Sequence, residues 1–297
     1  MSYSFLRESK IIIEHEGRRY AFSALSTMNY DTTMAEYKVN RRTVHGKSNY
    51  PVSIVTGFNP VTLSLIVNFS NNSLESMFFE WLGMGREGNT LYLPFNSKLE
   101  PTYLKVYIQY QSGAIFELTP AYVSNADFSL EKGIPELSVG IIASNVTQLR
   151  ELLPHPSLDQ SEVSIPSPLF CTLNGIDLPS IRGSGLSFQQ QCTWREEKSI
   201  YEIGQMSYPK KAVINEMNFS ANINMYKREM HGKPESNFLK IDEPLYGHHL
   251  QIYTNKILVD IPSARVTKRL TADETLSMSL DIIPMYNSPA PVSITFK

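Results

Sequence analysis

The chain has 297 residues, 42% of them apolar and only 19% charged, with a net charge of −2 and a pI near 6.3. That balance lacks the cationic excess with which a protein grips phosphates, so nucleic acid can pass such a surface without being held. The low charge leaves Ser, Thr, Asn, Gln and Tyr to cover the surface, and the length suits about two domains of roughly 150 residues.

The N-terminal MSYSFLRESKIIIEHEG carries only a short aliphatic run between Lys10 and Glu14. It is too short for a signal-peptide core or a membrane span, so the expectation is a product kept in the cytosol with no membrane insertion. Lys10 to His15 and Arg19 to Leu25 read as two strands about the turn residues Glu16 and Gly17, with Tyr20, Phe22 and Leu25 in the core. From Met34 to Tyr50 the sequence is polar on both faces and carries Lys38, Arg41, Arg42 and Lys47. Such an excursion is either a solvated loop or a hairpin that pairs with another chain, and the four basic residues are candidates for a subunit interface.

VTLSLIVNFS, Val61 to Ser70, alternates as a half-buried strand does: Val61, Leu63, Leu65, Val67 and Phe69 on one face, Thr62, Ser64, Asn68 and Ser70 on the other. The period then changes. Leu74, Met77, Phe78, Trp81 and Leu82 form one helical stripe expected to pack on a sheet, with Asn72 and Glu75 spaced as a capping box and Gly83 as the stop. Gly83, Gly85 and Gly88 spell G-x-G-x-x-G, but they follow a helix and lead into Leu91 to Phe95, the reverse of the dinucleotide-binding order, so they read as a turn. Strands resume at Tyr103 to Tyr110, Ala114 to Leu118, Ala126 to Leu130 and Leu137 to Ile142, with Gln111, Ser112 and Gly113 as a hairpin turn. Pro154, Pro156, Pro166 and Pro168 mark 151–168 as a linker between a first domain at 1–150 and a second at 169–297. His155, Ser157 and Asp159 lie in that linker, where a loose tract gives a catalytic triad no rigid frame. Cys171 and Cys192, the two cysteines, read as reduced thiols.

Beyond the linker the signals recur in order. Leu169 to Leu173 stands where Lys10 to His15 stood, Tyr208-Pro209 repeats Tyr50-Pro51, and Met217, Phe219, Ala221, Ile223 and Met225 repeat the apolar row that starts at Val61. In that alignment Ser64 meets Ser220 and Asn68 meets Asn224. Tyr110, Glu117, Pro120 and Val123 then match Tyr253, Asp260, Pro262 and Val266, and LSVGII matches MSLDII. The spacing shortens in the second half across the interval where the first half holds its helix, so the helix is reduced or lost there. The expected fold is therefore mainly β: a tandem duplication of an antiparallel β-sandwich or barrel domain, with one helix in the first copy. Such copies present sheet edges of the same kind, which suits a ring closed by edge contacts.

The two-strand start, the polar excursion before Tyr50-Pro51, the half-buried strand, the helix of SLESMFFEWL and the strands after it resemble the tail-tube proteins of long-tailed bacteriophages, over nearly the whole chain. The likeness is closest to the duplicated tube and baseplate tube proteins of T-five-like siphophages, in which three chains make a pseudo-sixfold ring. The chain stops at Lys297 beside its last strand. That departs from the tube proteins with an added immunoglobulin-like domain and favours the undecorated, baseplate-proximal ring joining tube to tail tip. The resemblance implies a homotrimeric virion protein, assembled in the host cytoplasm between tube and distal-tail or baseplate hub proteins. Its lumen would hold the tape-measure protein and pass DNA without binding it specifically, with no cofactor, no metal and no catalysis.

Glu117 and Asp260 each stand between apolar neighbours and so face away from a core; they either line the lumen or lie exposed on an outer strand. Ser64, Asn68, Ser220 and Asn224 are further candidates to face the lumen or a neighbouring subunit. Two rivals stand beside the conduit. A glycosidase would need two facing carboxylates, and the acids are scattered; His248-His249 point to opposite faces of a strand and cannot hold one metal ion together. A distal-tail or adhesin-type sandwich binding host carbohydrate would need exposed aromatics, whereas most Tyr and Phe fall on inferred core faces.

Overall fold

The computed structural model describes residues 9–23, 25–31, 33–39, 42–43, 46–47, 52–94, 98–110, 112–129, 136–150, 155–163, 169–178, 181–195, 209–226, 245–272, 276–286 and 290–297. Among them nearly every regular element is a strand, as the two-residue period dictates. β1 (Ser9–His15) and β2 (Arg18–Phe22) form the opening hairpin, with Glu16 and Gly17 at φ of 50° and 77° in its turn. Tyr20 and Phe22 are buried, while Leu25 begins a separate strand, β3 (Leu25–Asp31). The polar excursion pairs within its own chain: β4 (Met34–Val39) with β7 (Val52–Phe58), and β5 (Arg42–Thr43) with β6 (Gly46–Lys47) at the tip. β8 (Val61–Asn68) buries Val61, Leu63, Leu65 and Val67 and turns Thr62 and Ser64 to solvent.

The helix α1 (Ser76–Trp81) is shorter than its apolar stripe, and turns precede it. No capping box forms. The Glu75 carboxylate, 1% exposed, accepts the Ser70 backbone N–H at 3.1 Å and the Ser70 hydroxyl at 2.7 Å, while the Asn72 amide donates to the Asp159 carbonyl at 2.9 Å. Burial raises the Glu75 carboxyl above its ordinary range, against those two hydrogen bonds. The Phe78 and Phe22 rings pack tilted with centroids 4.7 Å apart, and Trp81 meets the Tyr20 ring at 5.5 Å, so the stripe packs on the first hairpin. Gly83, at φ 102°, ends the helix. Gly85 and Gly88 then belong to a hairpin of β9 (Gly85–Glu87) and β10 (Thr90–Tyr92), as a turn reading requires.

β11 (Leu104–Tyr110) is followed by β12 (Ile115–Ser129), one 15-residue strand where the sequence suggested two. Pro120 falls where the ladder to β11 slips between Leu104 and Val106, a place that needs no proline N–H, and a second irregularity lies between Val123 and Asn125. β13 (Glu136–Ala143) and β14 (Val146–Leu149) follow. The expected loose linker is, at 155–163, a strap. β15 (Leu158–Asp159) pairs in parallel with β2, Gln160 donates to the Asn68 carbonyl at 2.8 Å, and Lys10 meets Asp159 at 2.6 Å. The remainder of 151–168 lies outside the described residues.

The second half contains β16 (Phe170–Leu173), β17 (Ile176–Asp177), β18 (Ile181–Arg195), β19 (Lys211–Tyr226), β20 (Leu245–Tyr253), β21 (Ile257–Ala272), β22 (Leu276–Pro284) and β23 (Ser293–Phe296). The interval expected to lack the helix, 227–244, lies outside the described residues. Hydrogen bonding runs β3-β8-β13-β12-β11-β1-β2 in the first half and β18-β19-β22-β21-β20-β16-β17 in the second. β14 adds to β12 as β23 adds to β21. The halves thus repeat one strand order.

Each half is two layers on a shared core. Leu63, Leu65, Val139 and Ile141 of one layer meet Ile11, Ile13, Val106 and Ile108 of the other, and the cluster continues through Phe219, Ile223, Val259 and Ile282 of the second half. Among the described residues two ladders join the halves, β12 with β18 from Asn125 to Ser129 and β10 with β23, and the Ile214 N–H donates to the Leu99 carbonyl at 2.9 Å.

Candidate functional site: the polar face of the continuous sheet

The β12–β18 joint makes one antiparallel sheet across both halves, in the order β3-β8-β13-β12-β18-β19-β22-β21. Because side chains alternate, its buried face collects the apolar rows and its other face collects the polar ones. Directly across the ladders, Ile66, Ser138, Asp127, Ser187 and Ser220 form one row. Asn68, Glu136, Ser129, Gly185, Asn222 and Asp281 form the next. Ser64, Asn68, Ser220 and Asn224 therefore share one surface that crosses the joint between halves.

The ladders also correct their pairing. Ser64 lies opposite Gly140, and Asp281, which stands in the place of Gly140, lies opposite Asn222. The counterpart of Ser64 is thus Asn222, two residues beyond Ser220. A slip of two residues keeps every side chain on its face, so the alternation alone could not fix it.

This face is tied together by hydrogen bonds at the joint. The Asn125 amide donates to Asp127 at 2.6 Å, the Ser187 hydroxyl donates to the other Asp127 oxygen, and the Gln189 amide donates to Ser187 at 3.1 Å. Gly140 makes room for this arrangement: a Cβ there would stand 2.0 Å from the Asn125 side-chain oxygen. A groove of about 600 Å³ runs over the joint, with Asp127, Ser187, Ser220, Asn222, Arg269 and Asp281 on its walls. Arg269 meets Asp281 at 3.0 Å. The surface is thus polar and of mixed sign.

Glu117 and Asp260 lie on the stretches of β12 and β21 that pair with β11 and β20, away from the β12–β18 joint. Glu117 sits opposite Tyr107 and Thr147, on the face of the second layer that carries Ile12, Ala21 and Ile115, a small cluster separate from the main core. Tyr107 is pushed up to about 12, first by burial and then by the charges of Glu14 and Glu117. Beside it, burial opposes the charge of Glu14, but Arg19 at 2.7 Å and Lys105 at 3.5 Å outweigh it and hold the carboxyl below its usual value. Asp260 sits opposite Gln251 and Ser293, meets His249 Nε2 at 2.6 Å and accepts the Gln251 amide at 2.9 Å. These two acids occupy matching places in their halves, and their ladder rows include none of Ser64, Asn68, Ser220 and Asn224.

His248 contacts the Asn174 amide while His249 contacts Asp260, so the two rings diverge. Among the described residues no group of three or more His, Cys, Asp or Glu could hold a metal ion, and no helix is long and apolar enough to cross a membrane. Ser157 accepts the Arg19 N–H at 3.3 Å and Asp159 pairs with Lys10, which leaves no triad with His155. Both thiols are free, and burial pushes Cys171 up to about 12 and Cys192 to about 11. Of the basic candidates, Lys38 pairs with Ser53 along the hairpin and Arg42 with Lys47 across its tip, while Arg41 lies outside the described residues.

Sequence reasoning missed Asp127, Arg269 and Asp281 on the polar face. The alternations SMSLD, at 277–281, and SGLSFQ, at 184–189, carried a signal for its central strands, but no strand pattern announces which neighbours meet.

Two comparisons bear on this arrangement. The chain matches the Bacteriophage Baseplate Tube Protein Family over residues 1–297. It is 39% identical, over 299 residues, to baseplate tube protein p140 of Escherichia phage T5, covering 100% of this chain and 98% of the relative. A sheet with one buried and one polar face, continuous through both halves, accords with that match, and the chain belongs to the bacteriophage baseplate tube protein family.

Proposed function

We propose that this chain is a structural component of the phage virion, at the baseplate end of the tail tube, and that its copies close into a ring around a bore lined by the polar face of the sheet. The observation that carries the reading is the continuity of that face through both halves: one chain supplies two equivalent segments of wall. Three chains, six such segments, make the ring we favour, built from a duplicated domain at 1–150 and 169–297. The family match supports a tube role rather than carbohydrate binding, and the role needs no reaction.

A bore of Ser, Asn and mixed charges suits the passage of a polyanion and of a tape-measure protein, since dense cationic charge would hold DNA by counterion release. Ser64, Asn68, Ser220 and Asn224 lie on the face that crosses the joint, and Glu117 and Asp260 lie on ladder rows away from it. We assign the bore the first set; Glu117 and Asp260 then face outward, toward the tube exterior. Adjacent tube rings and distal-tail or hub proteins are the expected partners above and below, met by a particle assembled in the host cytoplasm.

Electron cryomicroscopy of intact tails, with the chain located in the map, tests this. The expected result is a ring at the tail tip with Ser64 and Asn222 facing the bore. A bore lined by Glu117 and Asp260 would overturn the assignment, and a chain found outside any ring would overturn the function.

A further inference from the structure

Among the described residues Glu75 carries the only carboxyl group that the fold buries, at 1% exposed. Both of its oxygens turn to Ser70, which is buried as deeply. Oε1 lies 3.1 Å from the Ser70 backbone nitrogen, and Oε2 lies 2.7 Å from the Ser70 hydroxyl oxygen. That hydroxyl oxygen also lies 2.8 Å from the Asn72 side-chain oxygen. Asn72 in turn reaches the strap at 155–163. Its side-chain amide donates to the Asp159 carbonyl at 2.9 Å, its side-chain oxygen accepts the Ser161 N–H at 3.3 Å, and its backbone N–H donates to the Ser161 hydroxyl at 2.9 Å. Beside it the Asn71 N–H donates to the Glu162 carbonyl at 3.0 Å, and Ser70 bridges to Val163.

Counting protons along this chain of contacts decides the state of Glu75. A serine hydroxyl has one proton and can point it along one line. The Asn72 oxygen has none to give, because its two strap contacts fix which end of the amide is oxygen. With Glu75 as a carboxylate, the Ser70 hydroxyl sits between two acceptors at 2.7 and 2.8 Å, and one of those contacts is a meeting of lone pairs. With Glu75 as the acid, Oε2 donates to Ser70 and Ser70 donates to Asn72, so each short contact holds one proton.

The surroundings favour the acid. Burial raises the carboxyl above its ordinary range, against the Ser70 hydroxyl, the backbone N–H groups of Glu75 and Ser70, and the charge of Lys256, in falling order. The other ionisable groups on the neighbouring elements are engaged elsewhere or exposed. Arg86 of β9 holds Glu80 of α1 at 2.6 Å, Lys10 of β1 holds Asp159 of the strap at 2.6 Å, the His15 ring meets Trp81 at 6.3 Å, and Glu162 is exposed.

We infer that Glu75 is held as the neutral acid, and that the two hydrogen bonds it begins, Glu75 to Ser70 and Ser70 to Asn72, clip the strap to the turn ahead of α1. Ionisation removes the first donor and turns the Ser70 hydroxyl back toward Glu75. The Asn72 oxygen then faces a lone pair, and the strap loosens. A carboxyl raised by folding supports the fold fully below its unfolded range and loses that support as pH rises through its folded value, so the strap opens on the alkaline side.

The test uses the full-length chain and Glu75→Gln, whose amide donates to Ser70 as the acid does but cannot ionise. Infrared difference spectra of the two near neutral pH are expected to contain the carbonyl band of a protonated carboxyl, shifted by deuterium and absent from the variant. Hydrogen exchange of the 155–163 peptides, corrected for the chemical rate, is expected to step up about tenfold with rising pH in the wild type, the size of one lost hydrogen bond, and to show no step in Glu75→Gln. Asn72→Ala, at an exposed position, keeps the acid but removes the catch, and is expected to leave the strap open at every pH with the circular dichroism unchanged. The wild-type step and the Asn72→Ala comparison stand even where Glu75→Gln fails to fold. A carboxylate band in place of the acid band near neutral pH overturns the protonation. A strap that shows no wild-type step, steps equally in Glu75→Gln, or stays as closed in Asn72→Ala as in the wild type overturns the clip.

Discussion

β12 and β21 hold the same place in their halves, each pairing with strands of both layers, yet Phe128 on the first is 4% exposed and Leu270 on the second 39%. The difference lies not in the strands but in what lies beside them. β12 meets β18 of its own chain, while the corresponding stretch of β21 meets water. An exposed edge bearing a large apolar residue is a hazard in a monomer, because it templates pairing with any strand. That stretch of β21 is the counterpart of the stretch of β12 that β18 covers.

The comparison breaks most sharply at the paired apolar positions. Phe128→Ala removes a ring packed on Phe69 at 4.8 Å within the core and is expected to cost about 3–5 kcal/mol of stability in chemical denaturation of the isolated chain. Leu270→Ala is expected to cost much less in the same measurement, since that side chain is 39% exposed. Equal losses at the two positions would mean that β21 is covered within the chain after all.

A smaller effect is expected at Gly140, whose place in the second half is taken by Asp281. The first half cannot accept a side chain there, because Asn125 folds across the strand toward Asp127. Gly140→Ala is expected to cost about 1–3 kcal/mol by overpacking, and Asn125→Ala in the same chain should recover part of it. A neutral Gly140→Ala would show that the Asn125 amide moves aside freely and that the halves do not differ in this respect.

The smallest effect concerns the strap. β2 is covered by β15, and Lys10 and Asp159 pair at 2.6 Å with exposures of 36% and 59%. Asp159→Ala is expected to cost no more than about 1 kcal/mol, falling further in high salt, because the pair is solvated. A larger loss, insensitive to salt, would assign the strap a part in the core of the first half.

Much of this architecture was legible in the residues. The rows at Val61 and Met217 alternate, and both lie in strands with one buried side. Glu16 and Gly17 marked a hairpin turn, and the stripe of Leu74, Phe78, Trp81 and Leu82 marked the helix. The unread parts share a cause. Pro120 interrupts a local pattern but not a strand whose ladder slips at that point, and the prolines near 154 and 156 say nothing of a backbone that later borrows hydrogen bonds from β2 and Asn72. Glu75 carried the spacing of a cap, yet burial turned it to Ser70.

The sequence by itself determined which segments are strands, which side of each is apolar, and that the two halves run through the same signals in order, because side-chain alternation is a local property of an extended backbone. Only the tertiary structure decided which strands are neighbours. Pairing is made by backbone groups that every residue carries, and a two-residue slip leaves each side chain on its face. For that reason the placement of Ser64 with Asn222, and the covering of β12 by β18, could be read from the ladders alone.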